Sequence, residues 1–581
     1  MADMEVAVTR PQRWDAPFGD PLGDAEVDRL LAVEPFRSID ATRFPASSPL
    51  REILRNDARL LRLSTGDIVV REGDYGHSAF LILSGRVRVV LAGLSAESLG
   101  REEPTKLGWL ASLLRVVRQP RLPEVRDGYG EESTNSSPYP SAPRPLYDLR
   151  GRGDSDRPRV FLQDVPRVLE QADTTVLEAG EIFGELAAMT RSPRTATVFA
   201  EGDAVLLEIR WQGLRDLMRR TGALRLHIER LYRENSLRVH LRETPLLAEL
   251  PPEQIAAVAA ATVFESHGEF DWHQAYQSAI RRKPGDAIVD EPLIAEEGTP
   301  ADGLILVRSG FARRSKRHGH GYQTVAYLGR GQVFGLAEAI ASSRSGKHVD
   351  WAYSLRALGY VDVLRIPQRA LDEFVFPHLP PESLSRVLGE QAFVTADAPQ
   401  SAGVDQGLLE FLVDRRLMNG QQAMVIDLDR CTRCDDCVRA CAATHDNNPR
   451  FTRQGPRHGP LMVVQACMHC VDPVCMIGCP TGAISRDSAT GVVRINDRTC
   501  IGCSVCAQSC PYDNIQMVEI RDRRGAALID AATQQPLAKA TKCDLCTGLP
   551  GGPACQRACP HDALVRLDLG KLGGLSQWVA R

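Results

Sequence analysis

The chain has 581 residues, with 70 Lys and Arg against 74 Asp and Glu, a formal net charge of −4 and 43 % hydrophobic residues. So long a chain exceeds what one core fills and calls for several domains. The near-neutral balance gives no whole-chain reason to expect nucleic acid or a membrane surface as partner, and the lack of any run of about 18 apolar residues excludes a spanning helix.

Residues 1–50 mix Pro, Asp and Arg with isolated apolar residues and read as an N-terminal arm with at most one or two short helices. The opening stretch MADMEVAVTRPQRWDAPFGDP has no apolar signal core and no twin arginine, so the expected compartment is the cytoplasm. From Leu60, short apolar runs are broken at Gly66, Gly73, Gly76 and Gly85, which predicts tight β-hairpins in a small sandwich or barrel. Strand character resumes at about residue 159. Between the two, LGWLASLLRVV (107–117) predicts an amphipathic helix, and 118–158 is rich in Pro, Arg, Ser, Gly and Asp, as a mobile loop would be. Residues 95–158 are therefore read as an insertion within a β domain spanning 51–243.

The stretch 178–210 contains Phe183-Gly184-Glu185-Leu186-Ala187 and then Pro193-Arg194-Thr195-Ala196-Thr197. It predicts a short helix whose N-terminal amides open toward a tight turn, an arrangement that favours an anion. An arginine beside it can grip two phosphate oxygens. This pattern, with EGD at 72–74 and the following YGHSAFLILSGRVRV, resembles the cyclic nucleotide-binding domain. The resemblance implies that Gly184 and Glu185 belong to the nucleotide pocket, with Glu185 on the ribose 2′-hydroxyl. Arg194 would pair with the cyclic phosphate, assisted by amides around Leu186, Ala187 and Thr195. It leaves cAMP and cGMP both open as regulatory ligand. Residues 214–243 then carry apolar positions at helical spacing, the helix that usually follows this domain.

A second copy follows over 244–400. A Pro-bounded helical pair leads into PGDAIVDEPLIAEEGTPADGLILVRSGFARRS, which echoes the first roll, and Val333-Phe334-Gly335-Leu336-Ala337 repeats the cassette. Here Leu336 replaces the glutamate and Trp351 stands near the arginine's place, so this copy is expected to be degenerate and to bind no nucleotide. Arg344 is a poor candidate for rescue. GRGQVFG (329–335) lacks the strand–turn–long-helix context of a dinucleotide loop. The basic residues Arg313, Arg314, Lys316 and Arg317, with His318 and His320, read as a solvated hairpin tip. Neither roll is followed by a helix-turn-helix, so no nucleic-acid partner is expected. A linker helix is expected within 401–422.

All 16 cysteines lie between 431 and 559, in four groups of four. Cys431, Cys434, Cys437 and Cys441 are spaced C-x2-C-x2-C-x3-C, as are Cys500, Cys503, Cys506 and Cys510. In Cys467, Cys470, Cys475 and Cys479 the middle gap is four residues, and in Cys543, Cys546, Cys555 and Cys559 it is eight. Pro480, Pro511 and Pro560 follow the last cysteine of their groups, while Ala442 follows Cys441. Thiolates suit zinc or iron–sulfur clusters. Compact groups ending in Cys-Pro match the bacterial-type ferredoxin run, in which the fourth cysteine ligates the other cluster of a pair. Residues 423–570 resemble the four-cluster iron–sulfur subunits of the dimethyl sulfoxide reductase type. That resemblance implies four 4Fe-4S clusters with crossed fourth ligands: Cys467, Cys470 and Cys475 with Cys510; Cys500, Cys503 and Cys506 with Cys479; Cys431, Cys434 and Cys437 with Cys559; and Cys543, Cys546 and Cys555 with Cys441. His445 and His469 are expected beside the clusters or on the surface rather than as ligands. Residues 571–581 are left as a tail.

The expected fold is thus multidomain: two β-roll (double-stranded β-helix, jelly-roll-like) domains with flanking helices, then an α+β polyferredoxin domain. No nucleophile–base constellation can be placed. The leading expectation is an iron–sulfur electron-transfer protein, partner or subunit of a catalytic oxidoreductase, biased by cyclic nucleotide at the first roll. The alternative is a redox- or oxygen-sensing signalling protein that binds partners through its rolls.

Overall fold

The computed structural model describes residues 5–90, 124–125, 174–184, 193–222, 246–269, 291–379 and 406–579, less a few single positions within these spans, and isolated helical positions between them. The chain divides into two compact units. One comprises residues 1–229, 424–456 and 462–566, the other 230–423, 457–461 and 567–581.

In the first unit, one roll is built from two four-stranded sheets. Strands Ala58–Leu63, Ala204–Arg210, Ser78–Ser84 and Ile182–Phe183 form one sheet in that order, and Ile68–Val70, Thr197–Ala200, Val87–Val90 and Thr174–Leu177 the other. Alternate residues point inward, and Phe80, Ile82, Phe183 and Leu206 of the first sheet close a core with Val70, Val87, Leu177 and Val198 of the second. The turn after Ser84 needs glycine: Gly85 has φ +82°, and a Cβ there would lie 2.4 Å from the Asp203 carbonyl oxygen. The amphipathic helix Trp211–Arg220 follows; it covers only the start of the helix expected over 214–243, because the backbone turns extended at Thr221, and most of the remainder lies outside the described residues.

The N-terminal arm is more ordered than its composition suggests. It holds helix Asp24–Leu31 and runs into helix Leu50–Asp57. Asp57, fully buried, accepts from Arg210 Nε at 2.8 Å and also pairs with Arg13, which in turn reaches Asp216 at 2.6 Å. The arm also begins with a strand, Glu5–Val8, paired in parallel with Ala527–Asp530 of the cysteine-rich part.

That part has two apolar cores, each threaded with cysteines. Met424, Ile426, Phe451, Met462 and Leu564 pack around Cys441 and Cys555, while Met476, Ile484, Val493 and Ile515 pack around Cys479, Cys500, Cys506 and Cys510. Between the third and fourth cysteine groups lies a sheet of Gln516–Arg521, Ala527–Asp530 and Ala538–Thr541. Glu5–Val8 extends it, and Glu124–Val125 pairs in parallel with Ile520 and Arg521. The segment expected as an inserted loop of the roll therefore contributes a strand elsewhere; the helix expected over 107–117 lies outside the described residues.

In the second unit, a second roll repeats the first. Its sheets run Val263–His267, Val361–Pro367, Gly303–Ser309, Val333–Phe334 and Leu293–Ala295, Ser354–Ala357, Ala312–His318, Gly321–Leu328. One correction falls on the basic hairpin. Lys316, Arg317 and His318 are exposed, but Arg313 is 1 % exposed. It donates to both oxygens of Glu291 at 2.9 and 3.0 Å, and to Thr324 and Asp414 at 2.7 and 2.8 Å, as a buried guanidinium requires. Arg314 lies 3.7 Å from the centre of the Tyr353 ring. Helix Gln406–Asp414 sits in the expected linker and buries Leu409 and Val413 with Leu358 against Phe311 and Tyr327. Most of the expected tail is a helix, Leu572–Val579.

Candidate functional site

The four cysteine groups repeat one backbone device. The residue before the second cysteine of each group has positive φ: Arg433 (62°), His469 (46°), Gly502 (68°) and Leu545 (59°). Such left-handed residues turn successive backbone N–H groups toward one point, a concavity suited to an anionic group. The third cysteine then lies on a short helix: Cys437 on Asp436–Thr444, Cys475 on Val474–Ile477, Cys506 on Val505–Ser509 and Cys555 on Ala554–Arg557. Where proline follows the fourth cysteine the helix stops. Ala442 retains its N–H, and that helix continues to Thr444.

The folded chain draws thiols together from distant groups. Cys467, Cys470, Cys475 and Cys510 line one cavity. Cys431, Cys434, Cys437 and Cys559 line a second, and Cys479, Cys500, Cys503 and Cys506 a third. Cys441 stands among Cys543, Cys546 and Cys555, close enough for all three to repel its thiolate. Burial, with each thiol's own neighbouring cysteines adding to it, pushes Cys506 up to about 12 and Cys510 and Cys555 up to about 11, and raises Cys470 and Cys475 well above an ordinary thiol. Four soft donors around one cavity, several of them costly to ionise alone, fit a multiply charged iron–sulfur core.

Donors to sulfur and buried cations surround these thiols. Backbone N–H groups of Arg450, Asn514 and Ala563 donate to Cys441, Cys510 and Cys559 Sγ at 3.2, 3.4 and 3.4 Å. Arg566 donates to Cys543 Sγ at 3.0 Å and to the Cys467 carbonyl at 3.2 Å, touching two quartets at once. Lys542 donates to the Cys543 carbonyl at 3.1 Å, and Lys539, fully buried, to the Asp497 carbonyl at 2.9 Å and to that of Cys500. These cations escape sequence reading, because lone basic residues between cysteine groups carry no periodic signal.

Neither histidine is at the surface. His469 is 1 % exposed and accepts the Val493 N–H on Nδ1 at 3.0 Å. His445 Nε2 lies 3.1 Å from Asp544, whose carboxyl is held well below its usual range by that imidazole although burial works the other way. With Cys546 these two form a possible ligand cluster, but Cys546 belongs to the fourth quartet and the trio is part of that site.

In the first roll, Gly184 and Arg194 meet. Arg194, 7 % exposed, donates to the Gly184 carbonyl at 2.6 Å and the Ser78 carbonyl at 2.8 Å, with its guanidinium 5.5 Å from the centre of the Phe80 ring. Gly184 has φ +75°, and a Cβ there would lie 2.4 Å from Arg194 Nη1. Glu185, Leu186, Ala187 and Thr195 lie outside the described residues. In the second roll, Leu336 is buried in the core and the Trp351 ring packs against that of Phe334 at a tilt of 33°, with centroids 5.0 Å apart. Arg344 is exposed at the end of helix Leu336–Ser345.

Comparison with known proteins agrees with both parts. The cyclic nucleotide-binding domain family matches residues 167–221 and 290–378, and the 4Fe-4S dicluster domain family matches 460–568. The electron transport protein HydN of Escherichia coli K12 is 34 % identical over 165 residues, covering 26 % of this chain and 91 % of HydN. The chain belongs to the HydN family. Hydrogenase-4 component A of the same organism is 35 % identical over 161 residues, covering 23 % of this chain and 76 % of that protein. The cAMP-bound regulatory domain of Toxoplasma gondii PKA aligns with 64 % of this chain and 98 % of its own length at 15 % identity, with a TM-score of 0.21, too low to bear on function. The HydN-like region thus carries iron–sulfur chemistry, and the cyclic nucleotide-binding domain is additional to it. Among the described residues no helix is long and apolar enough to cross a membrane.

Proposed function

We propose that this HydN-family chain passes single electrons between a redox partner and a donor through four 4Fe-4S clusters, and that cyclic nucleotide at the first roll biases the transfer. The observation that carries the reading is the gathering of thiols from different cysteine groups into quartets, three of them lining cavities of their own. This grouping supports the crossed pairing that the resemblance to subunits of the dimethyl sulfoxide reductase type implies. Clusters supply one-electron reduction and oxidation when bound. The chain's part is to supply thiolates, to direct N–H groups at sulfur, and to place Lys539, Lys542 and Arg566 where they offset negative charge. The names of HydN and hydrogenase-4 component A support a catalytic oxidoreductase as partner.

For the nucleotide, the support is Arg194 held over Gly184 in the first roll and a tryptophan in its place in the second. cAMP and cGMP remain equal candidates. Anaerobic reconstitution should load about 16 iron atoms per chain, four cubanes of four, and give 4Fe-4S signals on reduction. Zinc, or far less iron after full loading, refutes the wire. Calorimetry with cAMP and cGMP tests the first roll, and no heat with either removes the regulatory part.

A further inference from the structure

One contact within the first unit ties the roll to a cysteine quartet. Tyr75 follows the EGD turn. Its N–H donates to the Ser488 carbonyl at 2.8 Å, and its ring lies 4.6 Å from the Arg486 guanidinium. The other side of the seat is Gly491, with φ +69°, where a Cβ would come within 2.6 Å of the ring. Both Arg486 and Gly491 lie on the hairpin of Ile484–Arg486 with Val493–Ile495. Arg486 is 4 % exposed, and its guanidinium donates to the carbonyl of Cys470 and, at 3.2 Å, to that of Val471. A cation of the quartet Cys467, Cys470, Cys475 and Cys510 is therefore shelved on an aromatic ring supplied by the roll.

We propose that Arg486 is a positioning residue that sets the reduction potential of the cluster at this quartet, and that Tyr75 of the roll holds it there. The inference rests on the cluster reading above. Adding an electron makes a cluster more negative, so a fixed cation beside a ligand's backbone favours the reduced form. The ring face keeps the guanidinium aligned without competing for its hydrogen bonds. The same turn also meets the nucleotide arginine. Asp74, adjacent to Tyr75, accepts the Arg194 N–H at 2.7 Å, and Tyr75 itself bridges to Pro193. The roll thus reaches the quartet through a path of contiguous contacts.

The test is an EPR-monitored redox titration of the full-length, iron-loaded chain, with iron counted first. Arg486→Gln should lower the midpoint of one cluster by the equivalent of about tenfold in its reduction equilibrium, 59 mV for one electron. Tyr75→Ala should lower the same midpoint by less, and Tyr75→Phe, which keeps the ring, should leave it in place. Should Arg486→Gln fail to load iron, the two Tyr75 variants decide the matter. A wild type that does not take up iron sinks the cluster reading and this inference with it. Fully loaded Tyr75→Ala with every midpoint unmoved overturns this inference alone.

Discussion

Arg194 and Trp351 occupy one backbone position in the two rolls. Arg194 N–H donates to the Asp74 carbonyl at 2.7 Å while its carbonyl accepts from Gly73 at 2.8 Å; Trp351 does the same with Thr299 and Gly298, at 2.8 and 2.9 Å. Each side chain then covers the glycine that follows a Phe: a Cβ on Gly184 would meet Arg194 at 2.4 Å, and one on Gly335 would meet Trp351 at 2.1 Å. In the second roll the place of the Arg194 guanidinium has become part of an apolar core.

The two residues should therefore fail differently. Arg194→Ala abolishes cyclic nucleotide binding in calorimetry. Trp351→Ala leaves nucleotide binding intact and costs about 3–5 kcal/mol in chemical denaturation, because it empties a packed site.

The fourth ligand of each quartet gives the most specific test of the thiol pairing. Cys510→Ser perturbs the spectrum of the cluster held by Cys467, Cys470 and Cys475. It leaves that of Cys500, Cys503 and Cys506 in place, although Cys510 belongs to their sequence group. Mössbauer or EPR comparison with Cys479→Ser, which should do the opposite, distinguishes crossed from local ligation.

The buried carboxylate Asp57 joins the arm to the roll through Arg13 and Arg210. Asp57→Ala leaves two guanidinium groups without their shared partner, and a loss of about 3–5 kcal/mol is expected in urea unfolding. Arg13→Ala removes only one arm of the pair and should cost less.

Acid should weaken the first roll through His77. Burial, reinforced by the positive charge of Arg194, Arg59 and Arg210 and opposed by Glu208, lowers this imidazole from 6.5 to about 4, and its Nδ1 has no hydrogen-bond partner among the described residues. Between those values the unfolded chain binds the proton and the folded one does not, so stability falls as pH drops through that window. At about 1.4 kcal/mol per unit, discounted because the residue as a whole is only half-buried, the loss approaches about 2 kcal/mol near pH 4. His77→Gln should remove this part of the slope in urea midpoints measured at pH 7 and pH 5.

Much of this was legible before folding. Glycine-broken strands specified both rolls, since Gly73, Gly85, Gly298 and Gly310 all adopt positive φ. Cysteine spacing pointed to the metal chemistry, because ligand number and reach are written directly in sequence. The strand Glu5–Val8 was missed: four residues of alternating character carry too little periodicity, and their partner lies far along the chain. Arg313 was misread for a related reason, since a charge in a basic run looks solvated until Glu291 and Asp414 come to meet it. Tyr75 and Arg486 had no signature at all, because cation and ring come from parts that sequence reading treats as separate domains.

The pairing of Glu5 with Ala527 has a bearing on biosynthesis. Translation at roughly 5–20 residues per second separates the emergence of these two strands by about half a minute to two minutes. During that interval Glu5–Val8 is without this strand partner, and Arg10 without the carboxylate of Asp530. Completion of the cysteine-rich sheet is thereby deferred until Ala527–Asp530 has left the ribosome.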